Sequence, residues 1–306
     1  MKPAWSVLLL TTLLGAGQGL FLALFAAEVA GFAAPDLFLS GSVASFGLLA
    51  AGLVASFFHL GRPERAWRSA AMWRTSWLSR EVIVLPVFMV AVFGWGAARH
   101  AGLSKEIVLY LGIAATLLAL ALFVCTAMIY ACLKFLQEWH TPLTVVNYTA
   151  LGCASGLTLA AALAAWAHPA LAATYAAAAL AAGAFAYLAR LASLARNARL
   201  RPKSTLATAI GVKHPKIAQI AQGAMGGSFN TREFFHGRTR EVVRAARWAF
   251  LALVFPVPAV LLLFAPHSTE MLFLSFVLQY VGLLAERWYF FAEARHPQNL
   301  YYQAIA

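Results

Sequence analysis

The chain has 306 residues, of which 62% are hydrophobic and only 11% charged, and its mean hydropathy is +0.75. A soluble domain carries about 25% charged residues, so the composition excludes an ordinary soluble enzyme, and it excludes disorder, which needs low hydrophobicity. The formal charge of +12 would suggest nucleic acid in a soluble chain; in one this apolar it reads as basic loops that orient spans in a bilayer, and no nucleic-acid partner is expected.

Eight apolar segments follow one another, at about 5–30, 37–58, 81–99, 105–131, 143–166, 170–194, 242–265 and 269–292. Each is long enough for a transmembrane helix, which needs about 20 apolar residues. None has the strict two-residue alternation of a membrane strand, so a β-barrel is not expected. The start, Met1-Lys2-Pro3-Ala4-Trp5, has no twin arginine, and the first segment ends in Glu28-Val29-Ala30-Gly31 without a convincing cleavage site; it is read as a retained first span. Pro35-Asp36, His168-Pro169 and Pro266-His267 separate neighbouring spans, while Pro86, Pro256 and Pro258 fall inside spans and predict kinks or irregular ends. The expected fold is an all-α integral membrane protein of eight transmembrane helices in two four-helix bundles. It forms a single polytopic domain over 1–306, with one long basic, Gly-rich loop at 195–241.

An even number of spans puts both termini on one side. All but two of the 23 lysines and arginines fall on that side, the exceptions being Arg99 and Lys105. Twelve of them, from Arg190 to Arg247, fall in the 190–247 stretch, some of them in the long loop between the sixth and seventh spans. Positive loops stay in the cytoplasm, so both termini are expected there, in a bacterial inner membrane.

Several chemistries have no support. Cys125, Cys132 and Cys153 form no CxxC and no metal spacing. All eight histidines fall at span ends or in loops, so a haem held by two buried histidines is not expected. No hydrolase motif or phosphate loop occurs. Intramembrane charges are few, with Glu28 near the outer end of the first span and Glu286 and Arg287 near the inner end of the eighth. No acidic ladder crosses the bilayer as an ion pathway would need.

The informative stretch joins spans two and three: His59-Leu60-Gly61-Arg62-Pro63, then Trp77-Leu78-Ser79-Arg80-Glu81. Each residue alone has a plain structural explanation: a snorkelling histidine, an acid at a helix N-terminus, arginines anchoring a loop. Together they suit a quinone, whose carbonyls need hydrogen-bond donors and whose reduced form must release protons. An imidazole near its own pKa and a carboxyl group at a low-dielectric boundary can make and exchange such bonds. Gln18, in Gly15-Ala16-Gly17-Gln18-Gly19, is a polar residue among small ones that could serve a ligand or a helix–helix bond. Tyr130, near the inner end of span four, could add a phenol or simply belong to the interfacial aromatic belt.

These residues, in this order and on this topology, resemble the membrane anchor subunits of dimethyl sulfoxide reductase and the broader polysulfide-reductase-type anchors. The resemblance covers most of the chain, with its motifs in the first four spans. Two further stretches are similar to a sub-branch, the anchors of cytoplasmic sulfite dehydrogenases (sulfite–quinone oxidoreductases). They are Met128-Ile129-Tyr130-Ala131-Cys132 with Trp139-His140-Thr141-Pro142-Leu143-Thr144, and Phe229-Asn230-Thr231-Arg232-Glu233-Phe234-Phe235-His236-Gly237. The resemblance implies a three-subunit complex, in which a molybdopterin subunit performs the sulfur chemistry and a four-cluster iron–sulfur subunit relays electrons. The anchor would carry a quinone site, for ubiquinone or menaquinone, and no haem. His59 and Glu81 match the family's quinone-site histidine and acid, with Gln18, Arg62, Trp77, Ser79 and Tyr130 as surrounding candidates. Arg80, Phe229, Arg232, Phe234, Phe235 and His236 are candidates for docking the iron–sulfur subunit. The substrate chemistry would lie in another polypeptide. Three alternatives stay open: an anchor running from quinol to substrate in a dimethyl sulfoxide or polysulfide reductase, a passive anchor whose partner holds the quinone, and a secondary transporter of a small sulfur anion.

Overall fold

The computed structural model describes residues 1–214, 216–221 and 233–301. It is all helical among those residues. The eight spans are α1 (Trp5–Val29), α2 (Pro35–Phe57), α3 (Trp77–His100), α4 (Lys105–Ala131), α5 (Pro142–Ala167), α6 (Ala172–Ala198, entered through a 3-10 turn from Pro169), α8 with α9 (Arg240–Val254 and Pro256–Phe264), and α10 (Thr269–Glu293). A one-turn helix α7 (Leu206–Ile210) lies in the long loop, and a 3-10 segment (Pro63–Ala70) lies between α2 and α3.

Local sequence explains most of the boundaries. The side chains of Ser76, Ser104, Thr141 and Ser268 accept backbone N–H bonds from Ser79, Ile107, Leu143 and Met271, capping α3, α4, α5 and α10. Pro35, Pro142 and Pro256 each occupy a first helical position, where a missing N–H is harmless. Gly31 and Gly102 adopt φ of +85° and +67° just after α1 and α3, a left-handed turn that reverses the chain.

Two boundaries differ from expectation, and a third feature, the break in the seventh span, follows it. Helix α3 starts at Trp77 rather than 81, because the Ser76 cap lies upstream of the apolar run. Glu81 is therefore one turn inside the helix. Helix α6 continues to Ala198, past the expected end at 194, and Arg190 is a buried helical residue, 2% exposed. The seventh span is interrupted at Phe255, as Pro256 and Pro258 both lack the N–H that the preceding turn needs. The break is closed inside the protein: Gln279 Nε2 donates to Val254 O at 3.3 Å, and Ser275 Oγ donates to Pro258 O at 3.3 Å. Pro86 leaves α3 continuous.

Packing centres on one pair of helices. The apolar windows of α1 and α5 are 72% and 78% buried, against 33–44% for the other six spans. Glycines make this possible. A methyl group at Gly19 of α1 would overlap the Gly152 carbonyl of α5, and one at Gly156 would overlap the Gly19 backbone. Without a hydrophobic driving force between helices in lipid, such close backbone approach is the main source of helix–helix attraction. The largest buried cluster draws on both halves of the chain, from Leu14 and Phe21 through Trp95 to Leu159 and Tyr175. At the end expected to face outward, Arg99 Nη1 donates to Glu28 Oε1 and lies 4.7 Å above the Phe38 ring, tying α1, α2 and α3 together.

Candidate functional site

The cap at Ser76 and the turn it starts put Ser79 and Glu81 on the inward side of α3, 3% and 5% exposed. Thr126 Oγ1 of α4 donates to Glu81 Oε1, so the carboxylate faces the α3–α4 interface rather than the headgroups. A buried charge is costly unless it is paired or hydrogen-bonded; one hydroxyl is modest provision, and such a group is a common mark of function. Ser79 contributes its backbone to the cap, and Trp77 lies half-buried at the helix start.

His59 lies just past α2, exposed at the same end of the protein as Glu81. No hydrogen bond joins it to Glu81 among the described residues. Desolvation of part of its ring holds the imidazole below its ordinary range. Arg62 is exposed and precedes the 3-10 segment. Arg80 is engaged locally: Nε and Nη2 donate to Trp73 O (2.9 Å) and Arg74 O (2.8 Å), and its guanidinium sits 4.2 Å from the Trp77 ring centroid. It fixes the path of the loop into α3. Around this entrance Met72, Trp73 and Leu78 present exposed apolar surface.

Gln18 is buried on α1, where Nε2 donates to Leu14 O at 3.0 Å and Oε1 has no partner among the described residues. Counting 1.5 Å per residue from each helix start, it lies roughly 13 Å deeper than Glu81. Tyr130 is 9% exposed inside an aromatic cluster, edge-on to Trp139 at 5.3 Å and stacked with Tyr148 at 5.7 Å. One turn from Thr126 on the same face of α4, it lies within the field of Glu81.

Of the docking candidates, Phe229 and Arg232 lie outside the described residues. Phe234 stacks on His296 of the same chain at 3.6 Å, and its carbonyl accepts from Asn299 Nδ2 at 3.2 Å. Phe235 and His236 are half-buried, with the His236 ring 6.4 Å from Trp288.

Sequence reasoning missed a second polar centre. Arg190 of α6 and Glu286 of α10 meet at 2.9 Å, and Arg287 Nη1 is 3.4 Å from the other oxygen of Glu286. All three are under 5% exposed. The Arg287 guanidinium lies 3.5 Å from the Tyr148 ring centroid. Asn147 Nδ2 of α5 donates to Ser193 Oγ at 2.7 Å, and Asn197 Nδ2 donates to Glu293 Oε2 at 3.2 Å. A signal was available: Arg190, Ser193 and Asn197 recur at helical spacing within an apolar run, which marks one polar face.

A polytopic helical membrane protein with a buried carboxyl group near one membrane face, beside an exposed histidine loop, is the architecture of a membrane anchor rather than of a soluble catalyst. The chain belongs to the DMSO reductase anchor subunit (DmsC) family, whose model matches residues 1–302. It is also 54% identical, over the full length of both chains, to a protein of Allochromatium vinosum named as the C subunit of sulfite dehydrogenase.

Proposed function

We propose that the chain is the quinone-reactive anchor of a three-subunit molybdopterin and iron–sulfur oxidoreductase, passing electrons between an iron–sulfur partner and the quinone pool. The observation that carries this reading is Glu81, a carboxyl group buried one turn inside α3 and held by a single side-chain hydrogen bond. The residues fit a quinone. The Glu81 carboxyl and the His59 imidazole offer acceptor and donor atoms at interfacial depth, and Met72, Trp73 and Leu78 offer apolar surface for an isoprenoid tail. When bound, a quinone takes up or releases two electrons with two protons. Glu81 would hold or pass a proton at Oε2 while Thr126 fixes Oε1. His59 would orient a carbonyl or hydroxyl near the headgroups, and Arg80 would hold the loop that carries Trp77 in place.

Sulfite oxidation is the favoured activity of the complex, because the Allochromatium relative bears the name of a sulfite dehydrogenase and the identity extends end to end. The distribution of lysine and arginine supports a cytoplasmic location for Glu81, for both termini and for the partners. The segment around Phe234, Phe235 and His236 would then face the iron–sulfur subunit, with Arg238 and Arg240 available to acidic groups on it. The test is Glu81→Gln in the assembled complex. Quinone-linked sulfite oxidation is expected to fall by roughly 100-fold or more, the scale of a lost acid–base group, with dye-linked oxidation unchanged. Undiminished quinone-linked turnover refutes the assignment.

A further inference from the structure

Between α5, α6 and α10, at the end of the protein that carries Glu81, lies a small polar recess with a cavity volume of about 10 Å³. Glu138, Asn147, Tyr148, Arg190, Ser193 and Glu286 line it, among others. Its most enclosed part has room for about one water. The lining is not self-satisfied. Asn147 Oδ1, the Tyr148 hydroxyl, Arg190 Nη2, Glu286 Oε2 and Arg287 Nε are buried and have no hydrogen-bond partner among the described residues. Asn147, Tyr148, Arg190, Glu286 and Arg287 are each 5% exposed or less. A group of this kind that only stapled three helices together would pair its own atoms. One that leaves donors and acceptors turned toward a common space is built to hold water, which bridges such groups.

The recess has two ends. Toward the expected cytoplasmic side are Glu138 and Asn197, both half-buried. Toward the first four helices, Arg287 lies against Tyr148, and Tyr148 stacks on Tyr130. Tyr130 is one helical turn from Thr126, which bonds Glu81 directly.

We propose that the recess is a proton-exchange route, a water-holding relay running from Glu138 and Asn197 past Glu286 and the hydroxyls of Tyr148 and Tyr130 to Glu81. The inference rests on Glu81 being the quinone-site carboxyl. It gives that carboxyl, 5% exposed, a route for protons through the protein. The route moves protons only. Two electrons come from the iron–sulfur partner for each quinone reduced, and the two protons taken up come from the cytoplasm, each relay group receiving one proton as it passes one on. Glu286 and the water it holds act between the two arginines, which keep the carboxylate oriented. Tyr148 acts through its hydroxyl, and Asn147 and Ser193 position the water.

The experiment follows the Glu81 carboxyl itself. In the complete complex in lipid nanodiscs, the infrared band assigned to Glu81 by subtraction of Glu81→Gln is monitored on transfer to heavy water. Tyr148→Phe removes a relay hydroxyl conservatively, and Ser193→Ala removes a water partner with only a small loss of volume. Both are expected to slow deuterium exchange at Glu81 by roughly tenfold or more, in line with loss of a proton-transfer group. Binding of a quinone analogue and dye-linked sulfite oxidation should stay within about twofold of the unaltered complex. Exchange as fast as in the unaltered complex in both variants would overturn the relay. Undiminished quinone-linked turnover in Glu81→Gln would instead overturn the quinone-site reading, whatever the exchange rates.

Discussion

Removing the Glu286 charge should cost more stability than removing its arginine partner, and the asymmetry follows from the charge arrangement. At 2.9 Å and an effective dielectric of about 20, the gross attraction between Arg190 and Glu286 is roughly 6 kcal/mol. Much of it offsets the desolvation of two ions that are 2% and 1% exposed. Arg190→Met leaves Glu286 still paired with Arg287 at 3.4 Å, a balanced remnant, and should cost about 1–3 kcal/mol. Glu286→Gln leaves two buried guanidiniums with no carboxylate contact, and should cost about 3–5 kcal/mol, the usual penalty for orphaning a buried charge. Equilibrium unfolding of the purified protein in mixed detergent micelles, with both variants beside the unaltered chain, gives the two values. An Arg190→Met cost equal to or above that of Glu286→Gln would refute the reasoning. So would a Glu286→Gln cost below about 1 kcal/mol.

The glycine seam gives a second contrast. Gly156→Ala drives a methyl into the Gly19 backbone, which cannot yield, and should cost about 2–3 kcal/mol or more, whereas Gly183→Ala meets nothing within 4 Å and should stabilise α6 by up to about 1 kcal/mol. Thermal unfolding in detergent ranks them. Thr126→Val removes the hydrogen bond to Glu81 and should cost about 1–3 kcal/mol, with slower quinone-linked turnover and unchanged dye-linked turnover. Burial holds the imidazoles of His59, His236 and His296 below their ordinary range. The unfolded chain then takes up protons first as the pH drops below about 6.5, so stability should be flat above that value and fall below it. Replacing all three with Gln should flatten thermal stability between about pH 6.5 and 5. Phe235→Ala should reduce retention of the iron–sulfur subunit during purification, while leaving the yield of the anchor in membranes unchanged.

The eight spans are legible in the sequence because long apolar runs in a chain so poor in charge suit little besides helices in a bilayer. The Pro256 interruption is legible because a missing N–H is a local fact. Misreadings arise where hydropathy stands in for helix extent. Arg190 counts among the cytoplasmic cations in a charge tally, yet it lies two turns inside α6 and finds its partner on α10, almost a hundred residues later in the chain. Glu81 looks like a membrane-boundary residue since the apolar run starts there; the Ser76 cap moves it inward. Pairing Glu81 with Thr126, or Tyr130 with Tyr148 and Phe290, requires knowing which helices touch, and no periodicity within one helix contains that. Gln18 is attractive for its small neighbours, but Gly15 and Gly19 serve the contact with α5 and Gly17 the contact with Ser45 and Leu49 of α2. The engagement of Arg80 with the carbonyls of Trp73 and Arg74 depends on the loop path, which arginine content alone does not specify.

The seam between α1 and α5 also has a bearing on biogenesis. Helix α1 has its proper seat on α5, and more than a hundred further residues must be synthesised before that seat exists. Until then its glycine-lined face is bathed in acyl chains, which cannot follow so tight a groove. The early spans must therefore wait in the bilayer as a loose assembly, and the arrival of α5 is the moment at which they lock.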